Sequence, residues 1–263
     1  MEPTSNLLLF GIPGLGMFLV SVLAIAVWRR ASGAEFKWFW AGAGLWALAV
    51  ALKVAFSLLA NQVAVGFLKR ALSRPLFLTG AGLYLGAVSA AFELGLVWLA
   101  GRRWGHLGRD AGRAVAVGVG AGAFEALLLG VVSLGIWVAV AMDGADAKGE
   151  RNEVLARATA TPLFWLVPPA ERIIALLGHA STRGLVLLGV AGRRPWMVLW
   201  GFAVFTLMDG IAGVFLLSQE FAGRSMWWLE LAVLPFALTG VAILVFCIRR
   251  RDEPNLAVAE HPD

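Results

Sequence analysis

The sequence predicts an all-α fold, a polytopic transmembrane helical bundle of about seven spans, and three observations carry that prediction. Of the 263 residues, 60% are hydrophobic and only 15% charged, whereas a soluble domain carries about 25% charged residues. The mean hydropathy is +0.79. The apolar residues also fall in long blocks separated by short arginine-containing strings, the pattern of helices that cross a bilayer. A transmembrane β-barrel would show alternating segments about half as long, and none is visible.

The blocks can be taken in order. Leu7–Trp28 has no basic stretch before it and is followed by Arg29 and Arg30, so it reads as a retained first span and not a cleaved signal peptide. Trp38–Ala60 and Leu76–Ala100 follow, with Trp28, Trp38, Trp40, Trp98 and Trp104 near their ends, where tryptophans anchor helices at the membrane interface. The fourth block, Ala114–Met142, is the longest and is expected to tilt or protrude. Asp143–Thr161 is the only extended polar stretch and reads as a surface loop with a short helix. Pro169–Gly192, Pro195–Leu217 and Trp227–Ile248 complete the seven. Each block holds roughly the 20 residues that a helix needs to cross the hydrocarbon. Residues 1–250 therefore read as one transmembrane domain and residues 251–263 as a short polar tail.

Loop charge sets the expected orientation. With the N-terminus outside, the cytoplasmic strings hold twelve basic residues, among them Arg102, Arg103, Arg193, Arg194 and Arg249–Arg251, against seven on the other side. The chain is expected in the plasma (inner) membrane, and the positive-inside rule then puts its C-terminus in the cytoplasm. The sequence pI near 10.1 reports mainly this asymmetry. Nucleic acid is not an expected partner, because no cationic run is interleaved with stacking aromatics. The lipid bilayer is the expected partner. Cys247 is the only cysteine, which excludes an intrachain disulfide framework.

Ionisable residues inside the blocks are the informative exceptions, since each costs a few kcal/mol there and normally faces the bundle interior or another such group. They are Lys53, Glu93, Glu125, Glu171, Arg172, His179, Arg183, Asp209 and Glu230. In the fifth block Arg172, His179 and Arg183 are spaced seven and four apart, which puts them on one helix face with Glu171 close by. Glu171 and Arg172, near the start of the block, read as an interfacial pair that snorkels to water. In the fourth block Gly118, Ala121 and Gly122 flank Glu125; in the third, Gly86, Ser89 and Ala90 share a face with Glu93. Small residues let another helix approach closely, so both glutamates are expected to converge on the His179 stripe. Lys53 and Asp209 are expected to pair with each other or to neutralise a glutamate.

The strings "AAFELG" at Ala90–Gly95, "GAGAFEALLLG" at Gly120–Gly130 and "ERIIALLGHASTRGLV" at Glu171–Val186 resemble the motifs of the YhfC family. That family belongs to the wider group of CAAX-processing and bacteriocin-processing intramembrane proteases, described both as glutamic-type and as metalloproteases. The resemblance implies a hydrolase acting on membrane-associated peptide or protein substrates. Carried over residue by residue, it implies Glu93, Glu125 and His179 as catalytic residues, with Glu171, Arg172 and Arg183 in support. Several positions depart from the family pattern. Leu94 stands where a second glutamate is expected, Val97 for an arginine, Ala121 for a histidine and Arg183 for a small polar residue.

Peptide hydrolysis needs an activated water and a donor for the developing oxyanion. Glu93 and His179 are the pair that could hold that water, and Arg183 could supply the donor. No cofactor is expected. Zinc is disfavoured, because His106 lies in a loop and His261 in the tail, leaving Glu93, Glu125 and His179 as the one three-donor set. The alternative function is a non-catalytic binding or transport protein on the same fold. Arg183 divides the two: beside a working base it tunes the glutamates, whereas in a closed salt-bridge network it locks them.

Overall fold

The computed structural model describes residues 3–142, 147–218 and 224–252. Among these the chain is helical and has no strand: α1 (Pro3–Ser32), α2 (Phe36–Ala71), α3 (Arg74–Arg103), α4 (Ala111–Ala141), α5 (Ala147–Ala160), α6 (Val167–Ala191), α7 (Pro195–Leu217) and α8 (Trp227–Asp252), with two short 3₁₀ turns. Seven of the eight are long and apolar enough to cross a membrane, α5 being the exception. The chain is an integral multi-pass membrane protein.

Local chemistry sets the helix ends. Asp110 accepts a hydrogen bond from the backbone N–H of Arg113 at 2.8 Å and caps α4. Prolines stand in the first turn of α3, α6 and α7, where a missing N–H costs nothing. Several helices extend a few residues past the expected ends, and two extensions bear on the reading. The second helix runs eleven residues past Ala60, because nothing in "NQVAVGFLKRAL" breaks it before Leu72 and Ser73 turn extended and α3 starts at Arg74. The last helix runs on through Arg251 to Asp252, into what was read as tail; residues 253–263 lie outside the described residues. The polar stretch yields the short helix α5, as expected.

The helix α6 is the hub. It packs on α1, α3, α4, α7 and α8, and 72% of its spanning window is buried against 17–39% in the other spans. Its apolar residues meet neighbouring helices: Leu185, Val186 and Leu187 are fully buried. Outward faces, such as Leu58, Leu59, Val63 and Phe67 on α2, are exposed and suited to lipid.

Close helix approaches bring the polar side chains together. A Cβ on Gly118 of α4 would stand 2.5 Å from the His179 carbonyl oxygen, and one on Gly122 would stand 3.0 Å from Leu176 Cα, so α4 lies backbone-to-backbone on α6. On the other side, a Cβ on Gly86 of α3 would stand 2.1 Å from the Thr206 carbonyl oxygen of α7. These contacts set the depths at which Glu125, Glu93 and the α6 stripe meet.

Candidate functional site

The polar residues of four helices form one continuous network. Lys53 on α2 donates to Glu93 Oε1 on α3 at 2.5 Å and to Ser89 Oγ at 3.0 Å; Ser89 in turn donates to Glu93 Oε1 at 3.2 Å. The other carboxylate oxygen of Glu93 accepts from Arg183 Nη2 at 2.7 Å. The Nη1 of the same guanidinium meets His179 Nδ1. Across the imidazole, His179 Nε2 lies 2.6 Å from Glu125 Oε2. Glu125 Oε1 accepts from Arg172 Nη1 at 2.7 Å, and Arg172 also pairs with Glu171.

This geometry fixes the histidine's tautomer. A guanidinium can only donate, so Nδ1 carries a lone pair that accepts from Arg183. The proton is then on Nε2, which donates to Glu125. Both ring nitrogens are engaged, on opposite sides, by a cation and a carboxylate. Phe205 of α7 packs its ring edge-on against His179 at 5.7 Å and lies under the Arg183 guanidinium at 5.4 Å. Arg183 is 1% exposed and Glu93 3%.

Charge balances along the chain of contacts, with Lys53, Arg183 and Arg172 facing Glu93, Glu125 and Glu171. Buried charges are tolerated only when paired and hydrogen-bonded, and here they are. Among the described residues, the only fully buried side-chain nitrogen or oxygen without a hydrogen-bond partner is Ser218 Oγ, outside this network. The network walls a cavity of about 140 Å³, to which Asp209 of α7 and Glu230 of α8 add two further carboxyl groups. A much larger cleft of about 960 Å³ adjoins it, with Leu85 and Val88 of α3 and Phe215 and Leu216 of α7 on its walls. Lys53, Asp209, Ala212 and Leu229 stand where the two spaces meet.

Five of the six residues singled out from sequence line one cavity, and Arg183 joins them from behind through His179 and Glu93. Glu93, Glu125 and His179 sit on α3, α4 and α6 and all line it. Arg172 corrects one expectation: it does not snorkel to water but is 7% exposed and turns inward to Glu125, because α4 carries that carboxylate to its level. Glu171, its partner, keeps a side-chain exposure of 39%. Of the options for Lys53 and Asp209, Lys53 neutralises Glu93, and Asp209 faces the cavity. The hydroxyl of Ser89 was read only as small, though its position four residues before Glu93 could have suggested the hydrogen bond it makes. Glu230 was named only as an ionisable residue, and nothing local in its sequence signals that α8 carries it to the cavity wall.

A sequence profile described as YhfC intramembrane metalloprotease matches residues 16–233. No curated protein and no solved structure matches the chain. The site does not fit the metal that this description implies. Glu93 and Glu125 lie beyond opposite nitrogens of the imidazole, so no single ion reaches both together with His179. Each of these donors is also held by an arginine or by another network member. Among the described residues, no group of three His, Cys, Asp or Glu side chains is placed to hold a metal.

Proposed function

Because the chain belongs to the YhfC intramembrane metalloprotease family, we propose that it retains the family's recognition of membrane-embedded polypeptides while its own polar centre is closed to hydrolysis. The observation that carries this reading is the Arg183 guanidinium, which donates to Glu93 and His179 at once. A general base must be free to take a proton from water. Glu93 is held by three donors, two of them cationic, and the one basic nitrogen of His179 is capped. The cavity of about 140 Å³ also falls below the ~300 Å³ at which ligand pockets begin.

The adjoining cleft suits recognition. Its volume of about 960 Å³ lies within the ligand-pocket range of roughly 300–1,000 Å³. Apolar walls from α3, α7 and α8 would hold side chains. The backbone amides of an unwound segment would find Lys53, Asn61, Ser89 and Asp209 at hydrogen-bonding positions. A helix lodged there keeps its own backbone satisfied, so only a locally unwound segment gains from these groups.

A second reading, hydrolysis by a water held between Glu93 and His179, draws support from one specific contact. The 2.6 Å Glu125–His179 pair orients the imidazole as an acid–base dyad does. Arg183, swung off Nδ1, would then serve the oxyanion. Synthetic transmembrane peptides in proteoliposomes separate the two readings, with binding followed by fluorescence and cleavage by mass spectrometry. The proposed function expects saturable binding that Ala212→Trp abolishes by filling the cleft, with the peptide left intact. Cleavage that disappears in both Glu93→Gln and His179→Ala would overturn it in favour of hydrolysis.

A further inference from the structure

We infer that the Arg183 side chain stands in the coordination position of a divalent metal, as a cation tethered to the chain, and that removing it uncovers a metal site on His179 and Glu93. The imidazole is held as metal-binding histidines are held. Such a histidine donates its non-ligating N–H to a carboxylate, which fixes the tautomer and directs a lone pair at the ion. Here Glu125 accepts from Nε2 at 2.6 Å, and the lone pair of Nδ1 is directed at the Arg183 guanidinium. The second group on that guanidinium is the Glu93 carboxylate, at 2.7 Å. One positive group therefore bridges a neutral imidazole nitrogen and a carboxylate oxygen, a donor pair that also suits zinc.

Burial and packing strengthen the assignment. Arg183 is among the largest fully buried side chains and rests on the Phe205 ring, so it is not a surface residue that happens to reach the site. It arises from α6 one helical turn after His179, which places the guanidinium against Nδ1 without a long reach. Water and the Glu93 carboxylate would complete the coordination of an ion seated on Nδ1, with Glu125 supporting from behind the ring. The inference draws on the same closed network as the proposed function, but its test reads metal content and not peptide cleavage, so either can fail alone.

The test uses the full-length chain without an affinity tag, in detergent micelles, with zinc alone and cobalt(II) alone as probes. Wild-type protein is expected to purify with well under one equivalent of zinc and to show no cobalt d–d absorption. Arg183→Ala is expected to take up one equivalent of zinc and to develop the cobalt band. Arg183→Ala/His179→Ala should lose both, and Arg183→Ala/Glu125→Ala should bind zinc roughly 10–100-fold more weakly. Stoichiometric zinc in the wild type that His179→Ala removes would overturn the inference, as would a folded Arg183→Ala that binds none. If Arg183→Ala does not fold alone, zinc should restore its cooperative unfolding; failure with and without zinc also overturns the proposal.

Discussion

Replacing Glu93 by alanine tests the energetic logic of the closed network. Among the described residues, Glu93 is the only carboxylate on the Arg183 guanidinium, and the pair is 1% and 3% exposed at the side chain. Lys53, its other cation, keeps 25% exposure and can reach the adjoining cleft. The cost of Glu93→Ala therefore falls mainly on Arg183, left charged and buried with only a neutral imidazole nitrogen as acceptor. Breaking a buried ion pair from one side costs about 3–5 kcal/mol. At tenfold per ~1.4 kcal/mol, that raises the unfolding constant by roughly two to three and a half orders of magnitude. Reversible unfolding in mixed micelles, with SDS as denaturant, measures it directly. The double variant Glu93→Leu/Arg183→Met, which removes both charges, should cost clearly less than the sum of the single changes. A Glu93→Ala protein within about 0.5 kcal/mol of wild type, the scatter of a neutral surface change, would refute the reasoning. So would strict additivity in the double variant.

Other outcomes follow from the same geometry. Gly118→Leu should destabilise by about 1–3 kcal/mol, as overpacking does, and should weaken the Glu125–His179 contact, because its Cβ would stand 2.5 Å from the His179 carbonyl oxygen; a folded variant with wild-type stability would contradict the close α4–α6 approach. Glu171→Gln should cost under about 1 kcal/mol, since its side chain is 39% exposed and Arg172 keeps Glu125; a larger loss in the same unfolding assay would mean that Glu171, and not Glu125, is the main anchor of Arg172. A reporter active only in the cytoplasm, fused after Pro254, should be active; silence would reverse the orientation proposed from loop charge.

The sequence made the helices legible because lipid demands long apolar blocks, and no neighbour has to be known to see them. It also made the α6 stripe legible, since spacings of seven and four put Arg172, His179 and Arg183 on one face of any helix. The convergence of Glu93 and Glu125 on that stripe was readable from the small residues beside each. Pairing was not readable. That Arg172 meets Glu125 at 2.7 Å and Arg183 meets Glu93 at 2.7 Å depends on the relative heights of α3, α4 and α6, which glycine contacts set across the interfaces. Arg183 could be seen from sequence as either a tuning residue or a lock, and only its simultaneous contact with Glu93 and His179 favours the lock.

The order in which these charges appear along the chain bears on how the protein is made. Glu93 can meet Lys53 early, over a separation of 40 residues, but its contact with Arg183 spans 90. Among the described residues, the partners of Glu125 come late: Arg172 and His179 follow 47 and 54 residues after it. If the helices leave the insertion machinery in sequence, α4 enters lipid with a carboxyl group whose partners are not yet synthesised. Such a group costs a few kcal/mol in hydrocarbon. The arrival of α6 is then the step that commits the bundle, and a nascent chain stopped before Arg172 should be handled as an orphan by membrane quality control, however apolar its finished helices.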